Sequence, residues 1–207
     1  MREERPPVDP ERIAPSRLLP LRPVLVAALA TTGCRAAYAV TFGVDGGALA
    51  ARMSEGGCQL AAADGNGRAY LWDLVTGELA RTFVPRRGGG LNGVAFGLGG
   101  DLLAAAGGSE VYLWDVVSGK IAGTYIIPGD TTVYAVAFGP GGDVLAAACA
   151  NGWVYLWDMA SRALAGAFAG PGSRGVNGVA FGPGGDVLAA ADGNGCTFLW
   201  KMGPRAT

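Results

Sequence analysis

A chain of 207 residues, 50% of them hydrophobic, is long enough for one domain with a sizeable core. Its 16 Lys and Arg against 17 Asp and Glu leave a net charge of −1, which excludes a basic nucleic-acid binder and an acidic tail protein. The absence of histidine excludes Ser-His-Asp and Cys-His catalysis and histidine-based zinc sites.

Residues 1–23 hold six of the twelve prolines and charges that nearly cancel, and they read as a disordered segment. The apolar run 24–34 that follows is too short to span a membrane. Its length fits a signal-peptide core, and Thr32-Gly33-Cys34 a lipoprotein cleavage site, but the proline-rich, nearly neutral region before it fits a signal poorly. Internal alignment gives a better account. Residues 26–42 match 165–181 without a gap, placing Leu29 on Phe168, Gly33 on Gly172, Cys34 on Ser173 and Arg35 on Arg174. The run is therefore expected to be a strand and the loop after it, and the chain is expected to stay in the cytoplasm.

From Tyr38 onward the chain repeats. Tyr38-Ala39-Val40-Thr41-Phe42 opens an irregular first unit, in which Phe42 lies 30 residues before Trp72. In the later units Phe96, Phe138 and Phe181 lie 18 or 19 residues before Trp114, Trp157 and Trp200. The extra residues, around 48–55, read either as an inserted loop or as a recombination scar. The string 94–106 recurs nearly unchanged at 136–148 and 179–191. Each unit divides into Val-Ala-Phe, a Gly-rich turn, Leu-Ala-Ala-Ala, a second turn, then Tyr-Leu-Trp or Phe-Leu-Trp. Asp64-Gly65-Asn66-Gly67 and Asp192-Gly193-Asn194-Gly195 are hairpin signals between the second and third of these strands. A fourth strand is expected at 79–84, 121–127 and 164–169. The tryptophans stand 42, 43 and 43 residues apart, and Asp73, Asp115 and Asp158 follow three of them. A period of about 40–45 residues ending in Trp-Asp is the mark of a β-propeller blade built from four antiparallel strands.

On the residues Val-Ala-Phe, Leu-Ala-Ala and Tyr-Leu-Trp-Asp, over 24–201, the chain resembles the WD40 repeat family. The wording of its last unit is similar to WD40 arrays of actinobacteria, some of which are attached to Ser/Thr protein kinases, although no kinase motif is present. The resemblance implies an all-β propeller or partial propeller of about four blades, followed by a tail at 202–207. It also implies a non-catalytic scaffold for protein partners, with a sensor or regulatory module of a larger signalling protein as the alternative; a propeller enzyme of lactonase or hydrolase type is disfavoured by acids that recur in register. The family commonly has a histidine before the first strand and a Ser or Thr on the second. Here both are missing, so the usual hydrogen-bonded network cannot form and blade stability is expected to rest on apolar packing. Family members usually have about seven blades, whereas this chain counts one strand, three full blades and three further strands. A four-bladed ring closed by the first strand, two copies paired into an eight-bladed ring, and a fragment of a longer array are the alternatives that this count leaves.

No cofactor, metal site, nucleic acid or membrane contact is expected. The four cysteines lack metal-ligand spacing, and Asp101, Asp143 and Asp186, like the aspartates after tryptophan, recur in register and read as turn residues. Residues 88–93 match Gly-x-Gly-x-x-Gly but precede a strand instead of following one, so they do not form a dinucleotide loop. Residues that vary between units are the better candidates for recognition. Tyr38, Asn92, Tyr134 and Asn177 share one repeat position, and the loops before them carry Arg35, Arg86, Arg87, Asp130 and Arg174. Trp153 stands where other copies have Arg68 and Glu110. Tyrosine, tryptophan and arginine are frequent anchors at protein interfaces, so these ten residues are the expected partner surface.

Overall fold

The structure is a computed structural model that describes residues 36–44, 58–87 and 89–203. The expected strand within 24–34, Arg35 and the extra residues 48–55 lie outside the described residues.

Among the described residues fifteen strands run in chain order. They are β1 (Ala37–Val44), β2 (Cys58–Asp64), β3 (Ala69–Asp73), β4 (Leu79–Phe83), β5 (Leu91–Phe96), β6 (Leu102–Gly107), β7 (Glu110–Asp115) and β8 (Ile121–Ile126). There follow β9 (Val133–Phe138), β10 (Val144–Cys149), β11 (Trp153–Asp158), β12 (Leu164–Ala169), β13 (Val176–Phe181), β14 (Val187–Asp192) and β15 (Thr197–Lys201). Each consecutive group forms one antiparallel sheet: β1–β4, β5–β8, β9–β12 and the three-stranded β13–β15. These are blades one to four. The turns set the register. At Asp64-Gly65-Asn66-Gly67 the Gly67 amide donates to the Asp64 carbonyl at 3.1 Å, and φ of +80° at Gly67 is a left-handed value that a side chain would disfavour.

The irregular first unit keeps the register of the others. Phe42 pairs with Leu60 as Phe96 pairs with Leu103, Phe138 with Leu145 and Phe181 with Leu188. The extra residues thus fall in the connection between β1 and β2.

The first strands pack side by side, β1 along β5, β5 along β9 and β9 along β13, and no comparable packing joins β13 back to β1. Sheets stacked this way bury both faces, which is why β6 and β10 can be unbroken apolar runs. Three clusters fill the three spaces between blades. In the middle one, Ala104, Ala106, Val111 and Leu113 of blade two meet Val133, Val136, Leu145, Ala147, Tyr155 and Trp157 of blade three. At each junction an aromatic ring on or beside the fourth strand lies on the tryptophan of the next blade. The pairs are Phe83–Trp114 at 5.5 Å, Tyr125–Trp157 at 5.5 Å and Phe168–Trp200 at 5.8 Å.

Candidate recognition end of the blades

Antiparallel pairing decides which residues gather at one end. The start of each first strand, the end of the second, the start of the third and the end of the fourth lie together. Leu91 pairs with Gly107, and Glu110 pairs with Ile126. The β4–β5, β8–β9 and β12–β13 connections and the turns before β3, β7, β11 and β15 therefore share this end. Arg86 and Arg87 lie in the first of these connections, Asp130 in the second and Arg174 in the third, all exposed. Asp130 has φ of +48°.

Tyr38, Asn92, Tyr134 and Asn177 are not on the loops but one residue inside β1, β5, β9 and β13. The hydrophobic repeat extends each first strand further toward this end than the Val-Ala-Phe string alone suggests. Their settings differ. Tyr134 is 38% exposed, and Asn177 is also open. Asn92 is half-buried, and its amide Nδ2 donates to the Val133 carbonyl of the next blade at 2.9 Å. The Tyr38 ring lies over Gly65, where a Cβ would come within 3.0 Å of it. Trp153 is 42% exposed and stacks on Tyr155 with ring centres 6.4 Å apart.

A polar device that sequence reasoning missed braces the same end. The tyrosine of each Tyr-Leu-Trp carries a hydroxyl, and each hydroxyl meets a polar residue two to six positions earlier in the chain. Tyr70 donates to the buried carboxylate of Asp64 at 3.1 Å, and Asp64 also accepts from the Asn66 and Arg68 amides at 3.0 and 2.8 Å. Asn151 Nδ2 donates to the Tyr155 hydroxyl at 3.1 Å. In blade two Glu110 takes this place beside Tyr112, and Arg87 reaches Glu110 at 3.3 Å. Burial, followed by the Glu110 carboxylate, pushes the Tyr112 hydroxyl up to about 12. The fourth unit has Phe198 and no hydroxyl. There Asp192 turns to the preceding loop, accepting from the Ser173 hydroxyl, from the Arg174 amide at 3.2 Å and from the Asn194 amide at 2.9 Å. Burial works against its charge, but these donors outweigh it and hold the carboxyl below its ordinary range. The legible signal was the exchange of Tyr for Phe in the one unit whose aspartate is bonded elsewhere.

At the opposite end the aspartates after tryptophan close turns, as expected. Asp73 Oδ1 accepts from the Val75 amide at 2.7 Å, Asp115 Oδ1 from Ser118 at 2.6 Å and Asp158 Oδ1 from Ser161 at 2.7 Å. Among the described residues no three His, Cys, Asp or Glu side chains converge as a metal site would require, and no helix is long and apolar enough to cross a membrane. Cys149 is buried, which pushes its thiol up to about 12, while Cys58 and Cys196 are exposed and free.

Residues 121–158 and 164–201 match the family model described as WD40: WD domain, G-beta repeat. Each matched stretch starts on a fourth strand and ends on the third strand of the next blade. The sequence repeat therefore straddles two sheets and includes the tryptophan-on-aromatic contact between them. No curated protein matches the chain. Two of the chain's units thus match the WD40 repeat model, and the strand register of those units runs through all four sheets.

Proposed function

We propose that this protein is a non-catalytic scaffold that holds a protein partner at the end of the blades bearing Tyr134 and Trp153. WD40-repeat domains generally mediate protein–protein interactions. The observation that carries the reading here is the gathering of exposed aromatic and charged side chains at one end. Tyr134, Trp153, Arg86, Asp130 and Arg174 project from strand starts and short loops whose backbones are fixed by sheet pairing and by the Asp64, Glu110, Asn151 and Asp192 braces. A pre-ordered set of this kind loses little freedom on binding, and its aromatic and arginine side chains are suited to anchor roles. Tyr38 and Arg87 extend the surface toward blades one and two, while Asn92 serves it by tying blade two to blade three.

The test is photo-crosslinking from two positions in cells, Tyr134 at this end and Leu98 at the other. A partner crosslinked from position 134, and lost in a Trp153→Ala, Arg174→Glu double variant with an unchanged melting temperature, supports the reading. Equal crosslinking from position 98, or capture insensitive to the double variant, overturns it.

A further inference from the structure

The two faces that meet at every internal junction are both left open at the ends of the array. On the far side of blade four, Leu199 is 69% exposed, whereas its counterparts Leu113 and Leu156 are each 3% exposed. On the near side of blade one, Val40 is 63% exposed, whereas the equivalent Val94 and Val136 are buried, and Phe42 is 73% exposed, whereas the equivalent Phe96 and Phe138 are half-buried. Tyr70 and Trp72 beside them are already buried, so the open part of that face is β1.

A second pattern says which surface fits which. Positions two and three of the first strands read Tyr38-Ala39, Asn92-Gly93, Tyr134-Ala135 and Asn177-Gly178, alternating from blade to blade. The structure shows what the alternation does between blades two and three. A Cβ on Gly93 would stand 3.0 Å from the Ala135 Cα and 3.0 Å from the Tyr134 carbonyl oxygen, so only glycine lets β9 approach that closely. Asn92 then donates across the same gap to Val133. Blade four carries the same pair, Asn177-Gly178, with nothing opposite among the described residues. Asn177 is exposed, and the nearest atom a Gly178 Cβ would meet is the Ala191 Cβ at 3.9 Å, within its own sheet. The strand that completes this arrangement is one reading Tyr-Ala-Val, with an open Val and Phe after it. Blade one presents that strand, Tyr38-Ala39-Val40, uncovered.

We propose that the open face of blade four seats on β1 of a second copy of this chain, so that two copies close one eight-bladed ring. Gly178 then lies against the backbone of Tyr38 and Ala39, Asn177 donates to the Ala37 carbonyl, and Leu199 covers Val40. Each copy offers both faces, so two equivalent junctions form and no apolar face is left over.

Light scattering after size exclusion, on the full chain over a hundredfold concentration range, tests this. The unchanged chain is expected at twice its formula mass throughout. Gly178→Arg, whose side chain has open space within its own sheet, is expected at the single-chain mass with the same strand signal in circular dichroism. Gly93→Arg, the internal counterpart, is expected to lose the fold, which shows that Gly178 matters for pairing alone. A single-chain mass for the unchanged protein, a ladder of larger species, or a Gly178→Arg variant that stays at double mass would each overturn the proposal.

Discussion

At the residue scale the polar groups do local work and are costly to remove. Asp64 is buried and accepts from two amides and the Tyr70 hydroxyl. Asp64→Ala leaves those donors without an acceptor, so chemical denaturation should show a loss of roughly 2–4 kcal/mol, against about 1 kcal/mol for Tyr70→Phe. The turn carboxylates make stability depend on acid. The Ser118 and Ser161 groups hold Asp115 and Asp158 below the ordinary carboxylate range, and the donors around Asp192 do the same there against burial. A carboxyl whose pKa is lower folded than unfolded stabilises the fold while ionised. That contribution is complete above the unfolded value of about 4 and disappears as the pH falls through the folded values. The urea midpoint should therefore be steady from neutral pH to about 5 and drop below about 4, less steeply in Asp158→Asn. These roles were only partly legible. Asp73, Asp115 and Asp158 announce turns by their place after tryptophan. Asp64 and Tyr70 are six residues apart, and nothing local says that the hydroxyl returns to the carboxylate.

At the element scale each strand is as stable as the sheets on either side of it. Trp114 is buried between Phe83 and Tyr112, so Trp114→Ala should cost roughly 3–5 kcal/mol in a denaturant titration. Leu113→Ala removes a side chain held between two sheets and should cost roughly 2–5 kcal/mol. Leu199→Ala, the same repeat position, should change the stability of a single chain by less than about 0.5 kcal/mol. In the paired assembly proposed above it should instead weaken association, visible as dissociation on dilution. Strand positions were readable because strands of this type are short apolar runs bounded by Gly, Asn and Asp. The sequence-stretch 45–57 was the exception. The extra residues around 48–55 read equally as an inserted loop or a recombination scar, whereas the pairing of Phe42 with Leu60 shows that the strands before and after them keep the common register.

At the scale of the whole molecule, the repeat and its period determined the class of fold. An apolar strand pattern recurring with tryptophan every 42 or 43 residues has few ways to bury itself other than stacked four-stranded sheets. Composition likewise ruled out histidine chemistry without any coordinates. Only the tertiary structure decided which copies of one string are interior. Leu-Ala-Ala-Ala is buried throughout β10 and only on alternate residues in β14, although the letters are the same. It also decided that Asn92 is tied to the next blade while Asn177 is open, and that Gly93 is spaced by its neighbour while Gly178 is not. The reason is that burial between sheets is a property of the neighbour, not of the string. A repeat states what each blade can pack against, and only the arrangement of blades states what is there.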